Sequence, residues 1–389
     1  MSKDTLVDRI EGMDMKSTRN EIWSAIEERI IYGTKCIIEA LLIAERTEWI
    51  QAQPYERGIS RRGYRNGKYK RALVTKHGLI PDLAIPRVRE GEFQFRTLEK
   101  YKRRSPDVDN AIGNLFVSGI STRKLENIFE ELYGKRISRQ TVSETQKVLD
   151  EEVEKYKTKP IEDTIEFLFL DGITQKVREI GIEGKVMLCA YGVFKNGRRE
   201  ILSFELADVE DTDNWRGFLV NLKSRGLMGE SLKLITTDGN PGLLKALREI
   251  YPFKKVQRCI AHKLRNVAGK LKRRNQKECM NEVRLVFGAS SKREAIKRFR
   301  SWKEKWRIEE ERAVRCLEKD LFSCFYYYDF DKSLWKSIRT TNILERAFRE
   351  VRRRTRPMNI FPNGDSCSRI MYAITRMLNN NWAKDLLVI

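Results

Sequence analysis

The chain has 389 residues, with 77 Lys and Arg against 55 Asp and Glu, for a formal net charge of +22. Its 41% hydrophobic residues suffice for a buried core, which excludes a wholly disordered chain. With 34% charged residues and no apolar run near the roughly 18 residues of a spanning helix, a membrane protein is excluded.

At about 100–200 residues per domain, two to four units are expected. The start, Met1-Ser2-Lys3-Asp4, lacks the pattern of a signal peptide. Seven scattered cysteines fit a reducing compartment, so a cytoplasmic location is expected. His77 and His262 are the only histidines, which rules out a multi-histidine metal centre. The positive excess attracts polyanions, nucleic acid above all. It lies in three segments: residues 56–104 hold 15 cations against 5 acids, 254–274 hold 9 against none, and 336–356 hold 8 against 2. Separated basic segments favour a long contact path.

Residues 18–50 read as a helix, with Ser17 or Thr18 as N-cap and Ile22, Ile26 and Ile30 in its apolar pattern. Gly58, Gly63, Gly67 and Gly78 then punctuate a small basic unit that contains strands. Residues 107–150 read as short helices, broken at Gly119 and Gly134 and capped by Ser121 or Thr122 and by Ser138. This pattern suits a helix-turn-helix with 138–148 as recognition helix, Arg139 and Gln140 leading it toward DNA. A helical hairpin without that role has the same pattern. The acidic run 150–154 reads as a linker leading to Pro160.

After Pro160 the pattern becomes strand-like. One strand covers 165–170 and ends at Asp171-Gly172; a second covers 185–194, and a third 200–206, joined by Asn196-Gly197. A helix near 212–225, a strand 232–237 ending at Asp238-Gly239, a helix 241–250 and a short strand near 255–256 follow. The order β-β-β-α-β-α-β is that of an RNase H-like domain. Residues 263–335 read as wholly helical.

Asp171 and Asp238 each close an apolar strand before a glycine. One such Asp-Gly is an ordinary turn. Two, in this strand order, favour a pair of hard oxygen ligands for a divalent cation. A two-metal phosphoryl-transfer site needs a further carboxylate. Glu345 is the candidate, on a helix capped by Thr340 or Thr341, stopped by Pro357 and buried through Leu344, Ala347, Phe348 and Val351. Arg349, Arg352 and Arg356 share its face by their spacing, as phosphate contacts would. A surface helix with a Glu345–Arg349 pair is the plainer reading. Cys259-x-x-His262 is too small for structural zinc, which takes four ligands. Packing or hydrogen bonding fits better, and His262 could donate to a phosphate.

These residues carry a resemblance. Gly63-Tyr64-Arg65-Asn66-Gly67, Leu170-Asp171-Gly172, Asn214-Trp215-Arg216-Gly217-Phe218-Leu219, Thr237-Asp238-Gly239, Cys259-Ile260-Ala261-His262 and Thr341-Asn342-Ile343-Leu344-Glu345-Arg346 occur in one order. Together they resemble the Mutator-type insertion-sequence transposases of bacteria and archaea, over nearly the whole chain. The resemblance implies an α/β protein. Its RNase H-like, retroviral-integrase-like core would carry an Asp-Asp-Glu triad (Asp171, Asp238, Glu345) and be interrupted by an all-α insertion. It also implies a mainly helical N-terminal DNA-binding region with a helix-turn-helix.

The implied division is 1–105, 106–160, 161–262, the insertion 263–335 and 336–389. The implied cofactor is two Mg²⁺ ions, with Mn²⁺ as substitute. The implied partner is double-stranded DNA, both the element's terminal inverted repeats and the target, in a homo-oligomer at the nucleoid and without membrane. Lys263, Arg265, Arg346, Arg349, Arg352 and Arg356 are expected to hold phosphates. Trp215, Cys259 and His262 are expected to support the site. A decayed transposase acting as a DNA-binding regulator is the alternative.

Overall fold

The computed structural model describes residues 18–56, 59–89, 91–117, 120, 122–133, 136–178, 181–356, 360–361 and 363–383. Ser17, Gly58, Gly119, Ser121, Gly134 and Pro357, used above as caps and breaks, lie outside them. The fold is mixed α/β in two compact units, residues 1–145 and 146–389.

In the first unit, α1 (Arg19–Ile50) opens at Thr18 in a capping box, with Glu21 accepting the Thr18 N–H at 2.6 Å. Two strands, β1 (Arg65–Thr75) and β2 (Gly78–Val88), form an antiparallel hairpin. Leu42 of α1 packs with Leu73, Ile80, Leu83, Ile85 and Leu98 to make its core. Two helices follow, α2 (Pro106–Val117) and α3 (Thr122–Tyr133), and a third, α4 (Arg139–Thr158), begins in this unit and continues past residue 145. Val108, Ile112, Leu125, Phe129, Val142 and Val153 are buried in them, whereas Leu132 is exposed. Ser138 caps α4, its hydroxyl accepting the Thr141 N–H at 3.1 Å.

The acidic run 150–154 is no linker: α4 continues through it to Thr158. Its carboxylates have partners on a later helix. Arg369 Nη2 donates to Asp150 at 2.8 Å, and the Tyr372 hydroxyl donates to Glu152 at 3.1 Å.

The second unit is built on a five-stranded sheet. Its strands are β3 (Ile165–Arg178), β4 (Ile182–Phe194), β5 (Arg199–Ala207), β6 (Leu234–Thr237) and β7 (Val256–Arg258). The spatial order is β5-β4-β3-β6-β7, antiparallel from β5 to β3 and parallel from β3 to β7. Between strands lie α5 (Thr212–Ser224) and α6 (Pro241–Ile250). Trp215, Phe218, Leu219, Leu222, Leu243 and Leu247 bury these helices against Leu168, Leu170, Leu188 and Leu202.

Side chains alternate across a strand, so Phe167, Phe169 and Asp171 point to the other face of β3. That face is covered by Phe330, 5.5 Å from Phe167, and by Trp382, 5.3 Å from Tyr191.

The stretch after β7 is helical, as the sequence suggests. It holds α7 (Ile260–Ala268), α8 (Gln276–Phe287), α9 (Lys292–Trp306), α10 (Glu311–Lys319), two 3₁₀ turns and α11 (Trp335–Ile338). Two helices then return to the sheet, α12 (Asn342–Thr355) and α13 (Gly364–Trp382). Asn379 of α13 both accepts from and donates to the backbone of Ile201, covering the β5 edge.

Candidate active site

The two aspartates are set by different local devices. Asp171 is not at a strand end: β3 runs on to Arg178, and Asp171 pairs with Cys189 of β4. Gly172 marks close packing instead of a turn, because a Cβ there would lie 2.9 Å from Val186 and 3.3 Å from Glu210. Asp238 does follow its strand. Gly239 takes φ +83° under Arg258, where a side chain would collide with the guanidinium. Asn240 caps α6 from its side chain, and Pro241 fills the first turn. The Asp238 carboxylate accepts the Asn240 N–H at 2.9 Å.

Glu345 reaches the cleft beside Asp171, which Asp238 does not line, because the start of α12 is tied to the ends of β6 and β7. Thr237 accepts the Cys259 N–H at 2.7 Å, and Arg339 accepts the Ile260 N–H at 3.1 Å. The Thr236 hydroxyl donates to Ile338 at 2.8 Å. Thr341, wholly buried, stands at the N-cap but does not cap with its side chain. Its N–H and hydroxyl instead meet Cys259 Sγ at 3.3 and 3.4 Å, and the same hydroxyl lies 3.4 Å from His262 Nδ1. His262 Nε2 is in turn 3.6 Å from Glu345. The Cys-x-x-His spacing is thus a brace between α7 and α12.

Asp171, Gly172, His262, Arg265, Glu345, Phe348, Arg349 and Arg352 line one cleft of about 250 Å³. Burial pushes the Asp171 carboxyl up to about 7; His262 opposes the shift and Asp238 adds to it. The Arg265 guanidinium lies 2.6 Å from Glu345.

The sequence reading missed Glu210. Burial raises its carboxyl, as does the charge of Asp238, while the Trp215 indole N–H donates to it at 3.3 Å. Its only sequence signal is its place before Asp211, which caps α5 by accepting the Asn214 N–H. Asn214-Trp215 therefore serves both the cap and Glu210.

Residues 8–385 match the family described as "Transposase, Mutator family". The chain belongs to the Mutator family of transposases. This transposase is 34% identical to the "Transposase for insertion sequence element ISRM5" of Rhizobium meliloti, over 96% of this chain and 94% of that one. It is 35% identical to the "Transposase for insertion sequence element IS406" of Burkholderia multivorans, over 87% of each. Among solved structures it is similar to the "Drosophila P element transposase strand transfer complex". That likeness has a TM-score of 0.31 at 12% identity and covers 71% of this chain and 80% of that chain, too slight to weigh.

The remaining basic residues of the transposase divide. Arg265, Arg349 and Arg352 are exposed at the cleft. Arg346 faces a different hollow, with Phe169 and Tyr191, and Arg356 stands at the C-cap of α12 outside the cleft. Lys263 is 2% exposed and its ammonium is bonded to Asp320 at 2.6 Å, so the expected phosphate contact is corrected to an internal ion pair. Gln140 is exposed on α4 and bonded to Glu144 at 2.9 Å; the Arg139 side chain lies outside the described residues.

Asp171 and Asp238 fit a divalent cation. They are hard oxygen ligands, and the one hydrogen bond to the desolvated Asp171 carboxylate among the described residues comes from the Gly172 N–H. Glu345 is held by Arg265 and His262, and among the described residues no three Asp, Glu, His or Cys side chains are gathered as a ready cage. Among the described residues no helix is long and apolar enough to cross a membrane.

Proposed function

We propose that this transposase cuts DNA at the terminal inverted repeats of its insertion sequence and joins the freed ends to target DNA, with Asp171, Asp238 and Glu345 as its acidic triad. The observation that carries the reading is the meeting of Asp171 and Glu345 in one cleft rimmed by Arg265, Arg349 and Arg352, with Asp238 near enough to raise Asp171. The strand order, antiparallel then parallel with Asp171 on the central strand, supports an RNase H-like core. The three helices 106–158, with Ser138 capping the last, support a helix-turn-helix that reads DNA.

Two Mg²⁺ ions, or Mn²⁺, held by the three carboxylates would make a water or a 3′-hydroxyl nucleophilic and offset charge on the leaving oxygen. The chain's own groups do the positioning. Arg349 and Arg352 follow one face of α12 and bind successive phosphates. His262, braced through Thr341, presents Nε2 to the scissile phosphate or to Glu345. Buried Trp215 holds Glu210 beside Asp238. Two element ends must be brought together, which calls for a dimer or larger assembly on the nucleoid.

Labelled DNA carrying the native element ends, incubated with the protein and Mg²⁺, tests the reading by mapping new 3′ ends, with Asp171→Asn alongside. Paired, discrete ends and joined products that vanish in the variant are expected. Metal-dependent cleavage by Asp171→Asn overturns the triad, and specific binding without new 3′ ends leaves only a DNA-binding regulator.

A further inference from the structure

A second concave site lies far from the carboxylates in sequence, wholly within the first unit. The hairpin β1–β2 and the segment 91–103 enclose a groove of about 560 Å³. Lys70, Arg71, Arg87, Lys100 and Arg103 line it, against one acid, Glu99. Among the described residues, none of the five cations is in an ion pair. The Arg71 side chain donates to the Glu99 carbonyl at 3.3 Å, while its buried Nε has no partner among the described residues.

Aromatic faces alternate with these charges. Arg87 lies over the Tyr69 ring at 4.6 Å, and Phe93 and Phe95 pack edge to face at 4.6 Å. Tyr101 is 79% exposed at the rim, with Lys100 over its ring at 5.3 Å. Its φ of +68° is unfavourable for a residue with a Cβ and persists only where the surroundings hold it.

Interleaved cations and aromatic rings, with Tyr101 exposed at the rim, suit a nucleic-acid strand with an unstacked base, phosphates on the charges and the base on the Tyr101 ring. A paired duplex does not fit: its bases are already stacked, and it is far wider than a cavity in the range of about 300–1,000 Å³ that holds small ligands. We propose that this groove binds unpaired nucleotides of the DNA substrate, as a site separate from the catalytic cleft and from the helices 106–158. The proposal rests on the reading of the chain as acting on DNA. It gives the basic hairpin a role that paired DNA cannot fill, in holding a frayed or cut end by its unpaired bases.

The test is fluorescence anisotropy with the full chain, using a labelled thymidine oligonucleotide about 10 nucleotides long and a blunt duplex of the element end. Arg87→Ala and Tyr101→Ala are the variants; both side chains are exposed, and circular dichroism checks their folds. Each is expected to weaken oligonucleotide binding about tenfold, the worth of one lost stacking or charge contact, and to change duplex binding less than about threefold. Unchanged oligonucleotide binding in both variants overturns the groove. Equal losses on oligonucleotide and duplex overturn it too, since they mark a plain phosphate track. A wild-type chain that binds the duplex but not the oligonucleotide overturns the groove and leaves the transposase reading standing; one that binds neither overturns both.

Discussion

Cys259 and Thr341, 82 residues apart in sequence, are hydrogen-bonded at 3.3 Å between the Thr341 N–H and the Cys259 sulfur. Both are wholly buried. The bond fixes the first turn of α12, one turn before Glu345, and leaves the Thr341 hydroxyl within 3.4 Å of His262. Cys259→Ala deletes the acceptor and leaves a buried N–H unmatched, at a cost of about 1–3 kcal/mol. DNA cleavage is expected to fall about tenfold or more, as when groups behind a metal ligand are removed, with DNA affinity kept. Cys259→Ser, which retains an acceptor, should recover part of the rate. Cleavage kinetics beside thermal unfolding separate the effects, and a Cys259→Ala variant that cleaves at the wild-type rate would show the brace to be idle.

Trp215→Phe tests the link to Glu210. The indole N–H is a donor that holds the Glu210 carboxyl down, against burial and Asp238 which push it up. Without the donor the carboxyl rises further, so a larger fraction is protonated near neutral pH. The acid limb of the cleavage pH profile should therefore move to higher pH, and the rate below neutrality should drop more than the rate above it. A uniform loss at all pH values would reflect only the repacked cavity of a buried ring.

The sequence made the strand order legible through its apolar runs and the Asn196-Gly197 turn, where Gly197 does take φ +80°. Asp171, Asp238 and Glu345 stood out through local motifs alone, an Asp-Gly after an apolar run for the first two and a capped amphipathic helix for the third. What it hid depends on partners distant in the chain. Gly172 looked like a turn, yet it is small because Val186 and Glu210 crowd it from other segments. Lys263 looked like a phosphate contact because Asp320, its partner, is 57 residues away. The acids 150–154 looked like a linker because Arg369 and Tyr372, which bond Asp150 and Glu152, come more than 200 residues later.

Stability should respond to pH through Asp171. Its carboxyl is raised from the ordinary 3.8 to about 7 by burial, so the folded state holds a proton that the unfolded state has released. Such a group makes the fold less stable as pH climbs from about 4 to about 7, and adds no further slope above. Asp171→Asn removes that slope. Thermal unfolding at pH 5 and pH 8 should show the wild type losing more than the variant, and Mg²⁺ should recover the wild type at pH 8 without helping the variant. A variant with the same pH slope as the wild type would place the titration elsewhere.

With Glu345 as a ligand, Arg265 would compete with a cation for its carboxylate. Its guanidinium, 2.6 Å from that carboxylate, is 57% exposed, so the pair contributes only about 0.2–1 kcal/mol after solvent screening. Arg265→Gln frees Glu345 and removes a positive charge from the cleft. Mn²⁺ should then bind a few-fold more tightly in calorimetry, by about the factor that this pair energy implies. Binding of the DNA ends should weaken and become less sensitive to salt, because one phosphate contact is gone. The two effects oppose one another in cleavage: at saturating metal the variant should be slower, and at limiting metal the gap should narrow. Unchanged Mn²⁺ affinity would mean that Glu345 stays on His262 when the arginine is removed, and would take Glu345 out of the metal set.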